Sequence, residues 1–237
     1  MKAWIAARLN WALWALCLAC SGAAAGFAWR NHSAGADPGG LAVGLLFLAL
    51  VMTFATVGAL VAAKRPGNVV GRLFAALALA FAFVSLADEY VTYAVDHPNA
   101  LPAANVMAWI GSWLGGGSGF APLALVLLRF PNGRPPSPRW RVVSWLVRFG
   151  VLTAFLGALA PGALPHLEYA VPIENPFGIT GAGAVLEPLN VVGAGAIALA
   201  LLAAAASLVW RFRASRGVER QQLKWLALGA VLLVAFL

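Results

Sequence analysis

The feature that most constrains this chain is a series of uncharged apolar runs, each about as long as a lipid bilayer is thick. Residues 11–29 form a run of 19 residues without a charge, and residues 41–63 form another of 23 residues. A helix needs roughly 20 apolar residues to cross the hydrocarbon core of a membrane. Because such runs recur along the whole chain, the sequence predicts an all-α integral membrane protein.

The composition agrees with this class of protein. Hydrophobic residues make up 62% of the chain and charged residues only 10%, which is far from the composition of soluble domains. In a soluble domain, the net charge of +8 would suggest binding to nucleic acid. Here the lysines and arginines cluster between apolar runs, so the positive-inside rule explains them and we expect no nucleic-acid partner.

The apolar runs predict a single transmembrane domain over residues 1–237. Six runs are long enough for complete transmembrane helices, and the seventh has only 13 residues from Trp225 onward, so we expect a truncated helix and no output domain. A signal peptide is the alternative for the first run, but its hydrophobic part would be only about 7 to 15 residues long, which favours an uncleaved anchor. The predicted helices cover residues 11–29, 41–63, 69–93, 103–128, 138–164, 188–210 and 223–237.

The distribution of charge predicts the orientation of the bundle. With a cytoplasmic N-terminus, 15 of the 16 lysines and arginines fall on the inner side and only Arg30 falls outside. Seven of the eight acids, all but Glu219, and all three histidines fall on the outer side. We therefore expect a multi-pass protein of a bacterial cytoplasmic (plasma) membrane, with anionic lipid headgroups as the partner of its inner face.

The fourth predicted helix contains glycines at helical spacing. Gly111, Gly115 and Gly119 follow one another at four-residue intervals and fall on one face. Small residues at this spacing let helices approach closely, which predicts a packing seam. A kink is the alternative, because residues 115–117 are all glycine and Pro122 follows them.

No pattern in the sequence predicts catalysis, a cofactor or a bound metal. Cys17 and Cys20 form a C-x-x-C pair inside an apolar run, which denies them the polar neighbours that redox or zinc chemistry needs. Residues 116–119 resemble the G-x-S-G nucleophile motif of rhomboid intramembrane proteases. No histidine falls in a helix that would place a base beside that serine, so we expect no protease.

Polar residues near the predicted outer helix ends are candidates for a sensing surface. Asn68 and Ser137 are placed to cap the third and the fifth predicted helix. Asp88 follows Asn68 by 20 residues, which at about 1.5 Å per residue places it near the opposite membrane surface. Residues 165–184 form the longest polar connection. Interfacial acids and a plain loop are the alternative interpretations. The possible sensing surface comprises Asp88, Glu89, His97, His166, Glu174, Asn175 and Pro176.

Four spaced motifs resemble those of one protein family. Residues 65–71 read R-P-G-N-V-V-G and resemble the turn R-P-x-N-P-I-G-W. Residues 129–140 resemble the loop L-F-P-D-G-R-x-P-S-x-x-W, residues 175–178 resemble N-P-x-G, and residues 219–225 resemble E-R-x-Q-L-K-W. Together they are similar to the N-terminal membrane region of bacterial sensor histidine kinases of the LiaS/NarL type. The motif residues on the predicted inner side are Arg65, Pro66, Gly67, Asn68, Phe130, Pro131, Gly133, Arg134, Trp140, Glu219, Arg220, Gln222, Lys224 and Trp225.

The resemblance implies a signal-input module of a two-component system. It implies a homodimer that reaches a response regulator only through a cytoplasmic output domain, toward which residues 219–225 lead. Val69, Arg72 and Asn132 depart from the family pattern, where proline, tryptophan and aspartate are usual. The family's phosphoacceptor histidine and ATP-binding module would follow the last helix, and neither occurs in this sequence.

Two other functions compete with the signal-input hypothesis. A small transporter or permease subunit would place ionisable groups at the membrane midplane and often show an internal repeat, and neither is visible here. A membrane enzyme would need a metal-ligand cluster or a nucleophile–base pair. A standalone membrane protein of another role is the remaining alternative.

The predicted topology is testable by cysteine labelling in intact cells, after Cys17 and Cys20 are replaced by alanine. We expect a membrane-impermeant maleimide added outside to label Ile173→Cys but not Ser137→Cys, since the two positions are predicted on opposite sides. Labelling of both variants from the same side would contradict the topology.

Overall fold

The computed structural model describes residues 2–33, 38–164 and 172–235. Within these ranges the regular structure is helical, apart from one isolated antiparallel bridge between Ala163 and Glu174. Short 3-10 turns at Ser118–Phe120 and Pro138–Trp140 precede two of the helices. The α-helices of the described part are α1 (Lys2–Ser33), α2 (Pro38–Lys64), α3 (Val69–Asp96), α4 (Ala104–Gly115), α5 (Ala121–Arg129), α6 (Arg141–Gly157), α7 (Gly183–Ala214) and α8 (Gly217–Ala235).

Five helical segments of the described part are long and apolar enough to cross a membrane. They comprise α1, α2, α3, α7, and α6 together with the 3-10 turn before it, and the bent pair of α4 and α5 adds a sixth if it is one span. The predicted all-α membrane architecture is therefore confirmed. α8 begins at Gly217, earlier than the predicted residue 223, because the polar residues before the apolar run are already helical.

The prediction of one continuous helix over residues 103–128 is wrong, because α4 and α5 are separated by a break and bent by 52°. Gly117 lies in this break with a φ of 114°, a left-handed conformation that glycine adopts without steric cost. Pro122 lies in the first turn of α5 and has no N–H to donate to the preceding turn. The kink weighed as an alternative is thus present.

The three glycines of this region face α3. A β-carbon on Gly111 would lie 3.1 Å from Cβ of Ala87, and one on Gly115 would lie 3.6 Å from Cγ1 of Val84. A β-carbon on Gly119 would also approach α3. A break in the backbone and a close helix contact therefore occur in the same segment.

Two further predicted boundaries are wrong. α6 ends at Gly157 and not at residue 164, and the chain turns at Pro161, which cannot continue a helix, and at Gly162, which has a φ of 95°. α7 begins at Gly183, so that Pro188, predicted as a helix start, lies inside it. Of the connection between α6 and α7, residues 158–164 and 172–182 are described, and they are irregular apart from the Ala163–Glu174 bridge.

α3 is the central helix of the bundle and packs against α1, α2, α4 and α5. Its Leu77, Ala82 and Val91 have no exposed surface. Large apolar side chains also cover the outside of the bundle, and Val191 and Leu202 of α7 are 75% and 68% exposed. This pattern fits a helix surrounded by lipid, since lipid tails are as apolar as a protein core.

α6 and α7 pack most closely through glycines. A β-carbon on Gly150 would lie 2.9 Å from the carbonyl oxygen of Gly193, and one on Gly193 would lie 2.5 Å from the backbone nitrogen of Ala154. A β-carbon on Gly157 would lie 2.4 Å from the nitrogen of Asn190. Because these distances are shorter than any van der Waals contact, the crossing of α6 and α7 requires glycine at these positions.

This close crossing is testable with alanine substitutions on α7. We expect Gly193→Ala to lower the midpoint of thermal unfolding in detergent micelles, because the new methyl group forces the backbones apart at a cost of about 1 to 3 kcal/mol. Gly195→Ala is the matched control, since a β-carbon there has nothing within 4 Å. Equal midpoints for the two variants would contradict the assigned contact.

Candidate functional site

The two ends of the bundle differ in charge. The basic end is formed by the α2–α3 turn at residues 65–68, by the α5–α6 hairpin at residues 129–140 and by the end of α7. The acidic end is the opposite one, where α1, α3 and α6 end and α4 and α7 begin. The acids described there are Asp88, Glu89, Asp96, Glu174 and Glu187.

Asn68 joins two of the family-like turns at the basic end. Its side-chain oxygen accepts a hydrogen bond from the backbone N–H of Val70 at 3.0 Å, so the predicted N-cap of α3 is confirmed. Its amide nitrogen donates to the carbonyl of Pro131 at 2.9 Å. Gly133 has a φ of 77°, and a β-carbon there would lie 2.6 Å from the Asn68 side-chain oxygen. The two turns therefore form one packed unit.

Arg211 ties the end of α7 to the same unit. Its guanidinium donates to the carbonyl groups of Leu127 and Phe130. These carbonyls belong to the last turn of α5 and the residue after it, where no helical N–H is available to bind them. A cation is also favoured there by the helix dipole. The prediction of a basic inner loop did not single out Arg211 for this role.

Most other motif residues of the basic end are exposed. Phe130 and Trp140 are half-buried against the hydrophobic core, whereas Ser137 begins the 3-10 turn without the predicted side-chain cap. The Arg220 guanidinium lies 4.9 Å from the centre of the Phe212 ring. The side chain of Glu219 lies outside the described part of the chain. The exposed motif residues are Arg65, Pro66, Gly67, Arg134, Arg220, Gln222, Lys224 and Trp225.

At the acidic end, one candidate sensing residue of α3, Glu89, is bound by α1. The amide nitrogen of Asn31 donates to a carboxylate oxygen of Glu89 at 2.7 Å and to the Glu89 carbonyl at 3.0 Å. The His97 ring stacks on Tyr93 with the ring centres 4.2 Å apart. Asp88 is exposed. His166, the other predicted histidine, lies outside the described residues.

Asn175 of the predicted N-P-x-G motif binds the end of α6. Its amide nitrogen donates to the carbonyls of Ala158 at 2.9 Å and Ala160 at 2.6 Å. Its side-chain oxygen accepts the backbone N–H of Phe177 at 3.0 Å. Both ends of the amide group are therefore occupied, and this residue holds the α6–α7 loop against the end of α6. Pro176 and Glu174 beside it are exposed.

Trp109 of α4 completes this arrangement. Its indole N–H donates to the carbonyl of Ala158 at 2.6 Å, the same carbonyl that Asn175 binds. Its ring meets the Phe177 ring edge to face with the centres 4.7 Å apart, and it also contacts Phe155. The carbonyl group of Ala158 thereby joins α4, the end of α6 and the α6–α7 loop.

A cavity of about 780 Å³ lies between α4, the end of α6 and the first half of α7. Small residues make most of its wall, which is why space remains between the helices. Glu187 and Asn190 lie three residues apart on one face of α7 and both line it. The described lining residues are Trp109, Ser112, Gly157, Ala158, Ala160, Pro161, Ala163, Leu164, Asn175, Glu187, Asn190, Val191, Ala194, Gly195 and Ala198.

The sequence-based candidates only partly coincide with this cavity. Asn175 lines it, but Asp88, Glu89 and His97 do not belong to its wall. Glu187 and Asn190 were not predicted, because they lie at the start of an apolar run that was assigned to membrane crossing. The sequence nevertheless contained a signal for this site. Glu187 and Asn190 lie on either side of Pro188, three residues apart, and the helical turns beside them are uncharged.

The described residues form a binding cavity but no cluster of metal ligands. No group of three or more His, Cys, Asp and Glu residues within the described ranges is arranged to hold a metal ion. Comparisons with protein families, with curated proteins and with solved structures each found no match to this chain. Its function must therefore be argued from the cavity and from the helices that surround it.

The role of Asn175 as a helix cap is testable by substitution. We expect Asn175→Ala to leave the carbonyls of Ala158 and Ala160 short of donors and to lower the free energy of unfolding by about 1 to 3 kcal/mol. Thermal unfolding in detergent micelles measures this loss. Asn105→Ala is the matched control, because Asn105 is exposed and its oxygen accepts only from its neighbour Val106. Equal stability of both variants would refute the capping role.

Proposed function

We infer that this chain is a membrane-embedded signal-input module, in which occupation of the cavity displaces α7 and the displacement passes to α8. One observation carries the proposal. α7 is a single helix of 32 residues that lines the cavity near its start and reaches the basic end at Arg211. Such a helix is roughly 48 Å long at 1.5 Å per residue.

The contacts at both ends of α7 support this coupling. Near the start of α7, Asn190 packs against Gly157 of α6, and Gly193 packs against the backbone of Gly150 and Ala154. A change in the cavity therefore moves one helix against the other. At its end, Arg211 binds the α5–α6 hairpin, and α8 follows after Ser215. A ligand that fits one arrangement better than another shifts the balance between them.

The orientation proposed from the sequence places the basic end in the cytoplasm and the cavity toward the outside. The Arg148 guanidinium lies 4.6 Å from the centre of the Trp145 ring, and Arg129 donates to the hydroxyl of Ser144 at 3.2 Å. Arginines beside a tryptophan near a helix start suit an interface with anionic headgroups. The proposed location is the bacterial cytoplasmic membrane.

The family resemblance extends the proposal to partners. A homodimer and a kinase output domain acting on a response regulator would place α8 as the link between the bundle and that domain. Leu223 belongs to the E-R-x-Q-L-K-W segment and Leu226 follows it, and both are buried. Trp225, the last residue of the segment, is 73% exposed. An exposed tryptophan on α8 suits contact with a second copy or with the membrane interface.

A transporter is the second candidate function, favoured by the break between α4 and α5 beside the cavity. Discontinuous helices often form substrate sites in transporters. Gly117 in the break lies against Ala194, which lines the cavity. Alternating access predicts that Ser112→Cys, at the cavity wall, reacts with an impermeant maleimide from both faces of a proteoliposome. The signal-input proposal predicts reaction from one face only.

The proposed coupling is tested by filling the cavity and labelling α8. In a background with Cys17 and Cys20 replaced by alanine, Val218→Cys reports on the start of α8. We expect Ala194→Phe to change its maleimide labelling rate about threefold, which corresponds to a shift of roughly 0.6 kcal/mol.

Two further variants make this result decisive. Leu199→Phe introduces the same side chain at a position of α7 that is 59% exposed and outside the cavity wall, and it should leave the rate unchanged. Ala198→Phe fills the cavity from the next turn and should act like Ala194→Phe. If neither cavity variant alters the labelling rate while both keep the parent's unfolding midpoint, the coupling proposal fails.

A further inference from the structure

We propose that the cavity between α4, α6 and α7 binds a small cationic amphiphile, a molecule with an apolar body and one protonated amine. The inference rests on the proposed function only in taking the same cavity as the ligand site. Binding itself requires no signal output. The charge of Glu187, the acceptor group of Asn190 and the size of the cavity support this proposal.

Glu187 determines the sign of the ligand's charge. It is the one charged side chain among the described residues that line the cavity, and an ionised carboxylate only accepts hydrogen bonds. Asn190 lies one turn further along the same face, where its amide oxygen is a second acceptor for an N–H group. An ammonium group therefore finds both a counter-charge and an acceptor in this wall.

Two strong donors of the wall are already engaged, and the amide nitrogen of Asn190 is a neutral donor that supplies no counter-charge for an anion. The indole N–H of Trp109 and the amide nitrogen of Asn175 both donate to the carbonyl of Ala158. No lysine, arginine or histidine is among the described lining residues. An anionic ligand would thus meet the charge of Glu187 without a cation to offset it, which makes an anion the wrong class.

The other parts of the wall suit an apolar body. Alanine, glycine and the side chains of Leu164 and Val191 supply most of the surface. Trp109 adds an aromatic ring, whose face attracts cations as well as apolar groups. A volume of about 780 Å³ lies in the range of cavities that enclose small organic ligands.

The electrostatic field of the bundle also favours a cationic ligand. The acids of the described part other than Glu219 lie at the same end of the bundle as Glu187, and they include Asp88, Asp96 and Glu174. The arginines of the hairpin and of the α7 end lie at the other end of the helices. Charges arranged in this way concentrate cations at the acidic end and repel anions from it.

Three photoreactive probes test this assignment on the full chain in lipid nanodiscs. The probes are undecylamine, undecanol and undecanoic acid, each with a diazirine at the middle of the chain. After irradiation, labelled peptides are mapped by mass spectrometry. We expect the amine to label the cavity peptides of α4 and α7 about tenfold more than the acid does. Excess unlabelled undecylamine should suppress this labelling.

Substitutions locate the site within the cavity. Glu187→Gln should abolish the preference for the amine over the alcohol, whereas Glu174→Gln, which removes the same charge at the same end but outside the wall, should preserve it. Gly195→Trp should reduce labelling by all three probes, because the new side chain fills the cavity. Thermal unfolding of each variant shows that the fold is retained.

The opposing outcomes are distinct. Equal labelling by the three probes, a preference for the alcohol or the acid, or an amine preference that survives Glu187→Gln would overturn the proposal. Labelling confined to lipid-facing positions near Leu202 would do the same. Since this readout is binding alone, amine selectivity with an unresponsive α8 would refute the signal-input function and leave the ligand assignment standing. A responsive α8 without amine selectivity would do the reverse.

Discussion

The carbonyl groups at the ends of α5 and α6 must find hydrogen-bond donors, and the architecture of the bundle depends on how they do so. An unpaired backbone carbonyl costs several kcal/mol in an apolar surrounding, on the order of a lost hydrogen bond or more. Arg211 supplies the donors at the end of α5, and Asn175 with Trp109 supplies them at the end of α6. Each donor comes from a distant part of the chain, so these bonds also fix how the helices are assembled.

The cavity is a consequence of the same arrangement. α6 ends at Gly157, side chains bind the carbonyls of Ala158 and Ala160 just beyond it, and the chain then turns at Pro161 and Gly162. α7 continues past this point, and its small residues do not fill the space beside α4. Of the glycines that hold α6 and α7 together, Gly157 lines the cavity and Gly150 and Gly193 lie further along the pair, so a ligand in the cavity would act on a tightly coupled helix pair.

Much of the fold was predictable because helix formation and membrane burial are local properties. The first three helices were placed close to their observed positions, and the cap at Asn68 was predicted from a turn and a polar residue alone. The break after Gly115 was considered only as an alternative, since a run of glycines permits a kink without requiring it. The end of α6 at Gly157 was missed, although Pro161 and Gly162 follow it and both residues favour the end of a helix. The bond from Asn175 to the Ala158 carbonyl was not predictable, because it joins residues 17 positions apart.

The sequence by itself determined the class of protein, the number of apolar segments and the separation of basic from acidic helix ends, because hydropathy and charge act on each segment independently of its neighbours. Tertiary structure alone decided that the turns around Asn68 and Gly133 meet, that Arg211 closes the end of α5, and that Glu187 lines a cavity. These features depend on which helices cross and how closely. The crossings and their closeness are decided by glycine contacts between segments that are far apart in the chain, and no local sequence pattern predicts such contacts.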